Sequence, residues 1–256
     1  AGILYPYHLG VAHQLRRDGL ITAGTPLAGA SGGALAAVLS ALDLDHEFIL
    51  DSTEAVFQRM IPGGSTRGRM AGFLETALDE LLPPDAHEQI NAWEGGVALG
   101  VTLLTPLPTP TVISSFSSRA DLLKVLVTSC HVPFWLTNLP FRRVRGTLGY
   151  DGLFAHPKVF GCPPTSAKRT VCCSPFRHTQ VFGKTEWEGY GHGIISPELT
   201  YQINKRGDIK TLLPVALDPP PNEPGFARRL FADGIQDAKA WQAARVERAL
   251  VAPAQR

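Results

Sequence analysis

Much that would classify this sequence at a glance is missing from it. No uninterrupted apolar run reaches the roughly 20 residues of a membrane-crossing helix, and no signal peptide is visible. Neither sign of charge dominates: 24 Lys and Arg face 23 Asp and Glu, so no overall field draws the chain to nucleic acid. Cysteine is scarce. Cys130, Cys162, Cys172 and Cys173 include no C-x-x-C pair, which fits reduced thiols in a non-secreted protein better than a disulfide scaffold. No histidine stands at metal-ligand spacing from another histidine or a cysteine, and there is no calcium-binding loop; neither a metal nor a cofactor is expected. Internal repeats and clear linkers are absent too, so residues 1–256 are read as a single domain. A starting methionine is also lacking. The chain opens in mid-pattern at Ala1-Gly2-Ile3-Leu4-Tyr5, as if excised from a longer one, in which case targeting signals lie outside it.

The residues that are present alternate between helical and strand-like patterns. Hydrophobic residues make up 44% of the chain, enough for a sizeable core. Gly2 to Leu4 is read as the end of a buried strand or the loop after it, and Tyr7 to Arg17 as a helix closed by Asp18-Gly19. Thr25 to Ala28 is a short buried strand, and Ala34 to Leu42 is a helix rich in Ala and Leu. A helix from about Asp45 to Arg59 follows, then shorter helices over Phe73 to Leu82 and Ala86 to Trp93. Val97 to Leu104 and Thr111 to Ser115 suggest two strands, core sheet rather than a membrane anchor. Asp121 to Thr128 predicts a helix capped by the Ser114–Ser118 loop, and Leu148 to Asp151 a short strand. Pro- and Gly-rich chain runs from Pro157 to Pro224, with strand-like pieces at Thr170 to Cys173 and Leu212 to Leu217. Phe226 to Val251 closes the chain as a helix, with Phe226, Leu230, Phe231, Ile235, Ala238 and Trp241 on one face. Strands alternating with helices predict an α/β fold with a mainly parallel central sheet flanked by helices.

Two short stretches carry chemistry. Gly29-Ala30-Ser31-Gly32-Gly33 fits G-x-S-x-G, which sets a serine on a sharp strand-to-helix turn with its hydroxyl exposed. Ser31 then stands at a helix N-terminus, where free N–H groups and the dipole favour an oxyanion, Gly32 N–H being one donor. The plainer alternative is a glycine-rich turn capped by a serine. Downstream, Asp151-Gly152 ends a strand, where active-site groups of parallel sheets gather, or is simply a turn. A serine needs a base to become a nucleophile. Either Ser31, Asp151 and one of His156, His178 or His192 form a triad in α/β-hydrolase order, or Asp151 serves Ser31 directly as a dyad. Only about 30 residues precede Ser31, few for the strands an α/β-hydrolase places before its nucleophile. Phe134, Trp135, Leu136, Leu139 and Phe141 form an apolar cluster that suits an acyl groove, a lipid-facing surface or core packing. Arg142, Arg143 and Arg145 follow, read as anionic-headgroup contacts or as a solvated face.

Taken together, these motifs resemble the patatin-like phospholipase family, in particular its adipose-triglyceride-lipase-like branch. Gly2-Ile3-Leu4 with Gly10-Val11 resembles the oxyanion loop, Gly29 to Gly33 the nucleophile turn, and Asp151-Gly152-Leu153 the Asp-Gly motif. The likeness continues more weakly through Val171 to Phe176 and Phe231 to Ile235, so it covers most of the chain. The chain departs from the pattern at Tyr5, where a glycine usually closes the oxyanion loop, and at Leu153, the second glycine of Asp-Gly-Gly. The resemblance implies a Ser31–Asp151 dyad, an oxyanion hole from the N–H groups of Gly2, Ile3 and Gly32, and motif glycines at Gly29, Gly33 and Gly152. It also implies a metal-free, acyl-enzyme hydrolysis of fatty-acid esters (triacylglycerol, phospholipid or galactolipid). The expected setting is intracellular, peripheral at a membrane or lipid droplet, with room for a protein coactivator and no role for nucleic acid. The alternatives are a non-catalytic lipid-binding module, a Ser-His-Asp esterase, and a lipid transacylase.

Overall fold

The computed structural model describes residues 2–42, 44–155, 161–165, 167, 170–176, 193–196 and 216–251, with side chains described to residue 246. A single turn of 3-10 helix, Gly2–Leu4, leads into α1 (Tyr5–Arg17), where a short strand or loop was expected; Pro6 in the first turn suits a helix start. β1 (Leu27–Ala30) is followed directly by α2 (Gly32–Ala41). Then come α3 (His46–Met60), α4 (Met70–Leu81) and α5 (Ala86–Asn91). Asp45 caps α3 by accepting from Glu47 N–H. β2 (Val97–Leu104) and β3 (Pro108–Ile113) form a hairpin, and α6 (Arg119–Ser129) starts at the cap Ser118, whose hydroxyl accepts from Asp121 N–H. β4 (Arg142–Val144) and β5 (Thr147–Asp151) form a second hairpin. Two short strands, β6 (Cys172–Cys173) and β7 (Ile194–Ile195), pair in a separate parallel ladder, and α7 (Phe226–Val251) ends the described chain. The piece expected at Leu212 to Leu217 falls mostly outside the described residues.

The fold is α/β, as expected, with helices packed on a central sheet. The sheet is less parallel than the sequence suggested. β1 pairs parallel with β2, but β3 and β5 pair antiparallel with β2, and β4 antiparallel with β5. For two of these three antiparallel pairings the reason is connection length: β2 to β3 and β4 to β5 are joined by tight hairpin turns, and a hairpin can only be antiparallel.

The registers fix the geometry that matters most. β3 occupies one edge of β2 from Leu99 to Leu104. The other edge is shared end to end, β1 pairing with Val97 to Gly100 and β5 with Val101 to Leu104. β1 runs with β2 and β5 runs against it, so the two strands approach head-on. Ala30 lies opposite Gly100 and Asp151 opposite Val101. The residue after β1 and the last residue of β5 are thereby brought together, although far apart in sequence.

Two apolar cores flank this point. One joins the sheet (Val97, Leu99, Val101) to α2, α5 and α6 through Val38, Leu39, Ile90, Leu122 and Leu126. The other lies among α1, α3 and α7 and is built from Tyr7, Val11, Leu50, Phe57, Phe226 and Trp241. Tyr7 ties α1 to α7, donating its hydroxyl proton to Asp237 Oδ2 at 2.7 Å, and Glu54 of α3 accepts from Ala227 N–H at the start of α7.

Candidate active site

Ser31 sits between β1 and α2 with φ 55° and ψ −132°, a conformation that side-chain-bearing residues avoid. Two close approaches force it. A Cβ on Gly29 would stand 2.1 Å from Gly33 O, and one on Gly152 would stand 2.1 Å from Gly100 O and 2.9 Å from Ala30 Cβ. Glycine is the one residue that lets the serine turn and the aspartate turn close on β2. Gly33, by contrast, has open space where its Cβ would be.

The Ser31 side chain does not cap α2, which removes the reading of the turn as a plain serine cap. Its backbone N–H donates to Ser129 Oγ at 2.9 Å, and Ser129 Oγ–H donates to Gly100 O at 2.7 Å. Ser129, fully buried at the end of α6, therefore braces the turn against the central strand. Nothing in its sequence neighbours sets it apart. With its own N–H engaged, Ser31 leaves Gly32, the first residue of α2, to offer a helix N-terminal donor. Gly2 and Ile3 line the same space as Ser31 and Gly32.

Asp151 is fully buried. Its Oδ1 accepts from Leu153 N–H at 2.7 Å, and its own N–H donates to His131 O at 3.0 Å. Oδ2 makes no hydrogen bond of normal geometry. The Ser31 hydroxyl stands near enough to favour the carboxylate, but burial outweighs it and the Leu153 N–H, pushing the pKa up to about 6. An unbonded carboxylate oxygen beside a hydroxyl, with a pKa raised by burial, is the arrangement a proton acceptor requires.

Ser31 also borders a cavity of about 90 Å³ where the two cores meet. Leu35, Leu39, Val56, Phe57, Leu74 and Leu78 are among its walls. Tyr5 reaches it from α1, its hydroxyl bonded to Thr53, which donates onward to Ile49 O at 2.7 Å. The residue at which the sequence departs from the glycine pattern is thus a wall of this cavity. Cys130 lines it as well, its thiol kept neutral by burial and by the nearby Asp151.

The apolar cluster before Asp151 divides. Trp135 and Leu136 line the cavity, whereas Phe134 and Leu139 are 52% and 63% exposed. Of the three arginines, Arg142 pairs with Glu75 at 3.0 Å and Arg145 with Asp121 at 2.7 Å, while Arg143 is exposed. His156, His178 and His192 lie outside the described residues. Two histidine contacts arise in the fold: His13 Nδ1 is 3.3 Å from His46 Nε2, and His8 Nδ1 is 3.1 Å from Cys173 Sγ. These contacts join separate elements, so sequence spacing carries no trace of them. Among the described residues no group of three ligands could hold a metal. None of the four cysteines is in a disulfide.

No family model matches the chain. Comparison with curated proteins finds human patatin-like phospholipase domain-containing protein 4, 32% identical over 187 residues that make up 68% of each chain. It also finds mouse patatin-like phospholipase domain-containing protein 2, 26% identical over 242 residues, 92% of this chain and 47% of the relative. Human 1-acylglycerol-3-phosphate O-acyltransferase PNPLA3 is 28% identical over 181 residues, 68% of this chain and 36% of that one. The chain spans less than half the length of the latter two.

Proposed function

Because this chain belongs to the family of patatin-like phospholipase domain-containing proteins, we propose that it is a lipid acyl hydrolase that cleaves carboxylic esters of fatty acids with Ser31 and Asp151. The reading rests on one observation above all: the Ser31 hydroxyl stands beside the buried Asp151 carboxyl, and Ser31 borders an almost wholly apolar cavity.

In the proposed reaction the acyl chain lies in the cavity and the ester carbonyl reaches Ser31. Asp151 takes the hydroxyl proton as Ser31 Oγ bonds to the carbonyl carbon. The oxyanion that forms is held by Gly32 N–H, with Gly2 and Ile3 N–H as further donors. The C–O bond to the alcohol then breaks and Asp151 returns its proton to the leaving oxygen. Water, losing a proton to Asp151, attacks the acyl carbon; the bond from that carbon to Ser31 Oγ breaks, Asp151 passes the proton to Ser31 Oγ, and the fatty acid leaves. A carboxylate has no tautomer to fix, so the base needs no third residue to orient it. Raising its pKa towards neutrality makes it a better base.

A second reading replaces water with an alcohol group of another lipid, and the name of one relative, an O-acyltransferase, favours keeping it. The acyl-enzyme is common to both. The test is to treat the protein with a fluorophosphonate and then with fatty-acyl esters. Labelling at Ser31, abolished by Ser31→Ala, together with release of free fatty acid, supports the hydrolase. Product appearing only when an acceptor lipid is added favours transfer. A folded protein that neither labels nor cleaves any ester overturns both readings and favours a lipid-binding module.

A further inference from the structure

The segment from Val132 to Leu139 faces two ways. Inward, Val132, Trp135 and Leu136 line the cavity beside Ser31. Outward, Phe134 and Leu139 expose about half or more of their surface. This exposure does not come from a loose loop. Phe134 N–H donates to Leu139 O, Gly68 N–H to Trp135 O and Ala71 N–H to Leu136 O. The ring of His131, which is buried, bonds Leu139 O at 3.0 Å, and Arg67 Nε–H donates to Phe134 O at 3.3 Å. The backbone is fixed and the two apolar side chains are held out in water.

Phe134 is also in the left-handed region, with φ 62°, which a bulky aromatic residue avoids. It is the third residue of the tight turn Val132–Trp135, closed by Trp135 N–H donating to Val132 O at 3.0 Å, a position that glycine or asparagine fills more easily than an aromatic residue.

The exposed apolar surface continues towards the catalytic turn. Phe141 meets Tyr150 at 5.6 Å between ring centroids, and Tyr150 meets Phe154, 43% exposed, at the same distance. Phe154 borders the wider groove that also contains Ser31. Leu148, 38% exposed, lies opposite Arg143 in the β4–β5 register. Two exposed arginines flank it, with the Asp218 carboxylate near one of them through Ser65. Arg143 and Arg67 are exposed and have no acidic partner among the described residues, whereas Glu75 and Asp121 are matched by Arg142 and Arg145.

We propose that this rim, from Phe134 and Leu139 to Phe154 with Arg67 and Arg143 beside it, is the surface by which the protein docks on a lipid layer carrying anionic headgroups. The proposal rests on the lipid-hydrolase reading for its purpose, since a docked rim would let an acyl chain pass from lipid to cavity without crossing water. Its physical basis is separate: fixed apolar side chains insert among acyl chains and exposed guanidinium groups meet phosphates.

The test is flotation of the full chain, in a Ser31→Ala background, with vesicles of phosphatidylcholine alone and of phosphatidylcholine mixed equally with phosphatidylglycerol. The expected result is stronger binding to the anionic vesicles. Phe134→Asn with Leu139→Asn lowers binding to both by at least about tenfold. Arg67→Gln and Arg143→Gln each remove about fivefold on the anionic vesicles only. In the Ser31 parent, the Phe134 and Leu139 changes leave hydrolysis of a short water-soluble ester unchanged, which shows that the variants are folded and separates docking from catalysis. Loss of vesicle binding by the parent, or equal binding by parent and variants, overturns the proposal. So does a stable dimer, seen by sedimentation, that the Phe134 and Leu139 changes dissolve, because the rim would then belong to a second copy. A parent that docks but cleaves no ester sinks the hydrolase reading and leaves the docking surface standing.

Discussion

Ser31 and Phe134 have almost the same backbone conformation, φ 55° and 62°, and both belong to segments that wall the same cavity. Their surroundings are opposite. Ser31 is 7% exposed, bonded through its N–H to Ser129 and fixed by the glycines behind it. Phe134 is half in solvent, and the bonds that hold its backbone come from the loop and from an exposed arginine. A left-handed non-glycine residue costs about 1–3 kcal/mol. Arg145, the third case, incurs that cost in the β4–β5 hairpin turn beside Gly146, where the turn type demands positive φ. At Ser31 the packing around β2 imposes the strain, and a hydroxyl set beside the Asp151 carboxyl is its product. At Phe134 the tight Val132–Trp135 turn, with Pro133 at its second position, demands the positive φ, and the ring placed there is half exposed. Strain inside the fold thus presents a chemical group, and strain at the surface presents an apolar one.

The sharpest way to break this comparison is to remove the chemistry and keep the turn. Ser31→Ala and Asp151→Asn are each expected to lower kcat at least about 10³-fold while the protein stays folded. Single replacements of His156, His178 or His192 should leave most of the activity. A folded histidine variant as inactive as Ser31→Ala would instead favour a triad. The parent's kcat/KM should rise with pH and level off above an apparent pKa near 6, because Asp151 must be ionised to accept the proton.

The same residue affects stability in a direction that can be worked out. Burial raises the Asp151 pKa in the folded state to about 6 from 3.8. Below pH 4 the carboxyl is protonated in both states and costs nothing. Between pH 4 and 6 the unfolded chain ionises first, so the parent loses stability as pH rises, and above pH 6 the loss is complete. Asp151→Asn keeps an oxygen for Leu153 N–H and carries no charge. It is therefore expected to be more stable than the parent at pH 8, by about 3 kcal/mol, with the gap closing towards pH 4. Thermal unfolding at the two pH values checks this, and a gap that widens at low pH would contradict it.

Much of the site was legible in the sequence because it rests on backbone contact. Gly29 and Gly152 are glycines for steric reasons that leave a mark in the chain, and Asp151-Gly152 reads as a strand end because it is one. β2, Val97–Leu104, was readable to the residue because it is buried for most of its length. What could not be read was pairing. That β1 and β5 share one edge of β2 and stop head-on at Gly100 and Val101 depends on contacts between distant segments. The same holds for the antiparallel share of the sheet, for the His13–His46 contact and for the split of the Phe134–Phe141 cluster into inward and outward residues. Ser129 was missed for a related reason: its partners, Ser31 N–H and Gly100 O, are 98 and 29 residues away.

Ser129 gives the next smaller effect. Ser129→Ala leaves Ser31 N–H and Gly100 O without that hydroxyl in a dry interior, at a cost of about 1–3 kcal/mol. Because the lost bond positions Ser31, the proposed nucleophile, and does not touch substrate, kcat should fall while KM stays nearly constant, and Ser129→Thr should recover part of the loss. A stability loss with kcat untouched would reduce Ser129 to a structural tie.

The smallest effect has the opposite sign. Phe134→Asn relieves the left-handed strain at φ 62°, since asparagine tolerates that region, and it removes from water an aromatic ring that is half exposed and gains little from burial. The variant should unfold about 1 kcal/mol later than the parent in denaturant, with an unchanged m-value. Ser31→Asn, at nearly the same torsion, should bring no comparable gain, because the buried turn is dictated by its neighbours and the larger side chain must fit beside Gly32 and the cavity wall. If Phe134→Asn instead destabilises the protein, the ring is supporting the loop from outside, and the two strained residues would be held by the same kind of packing after all.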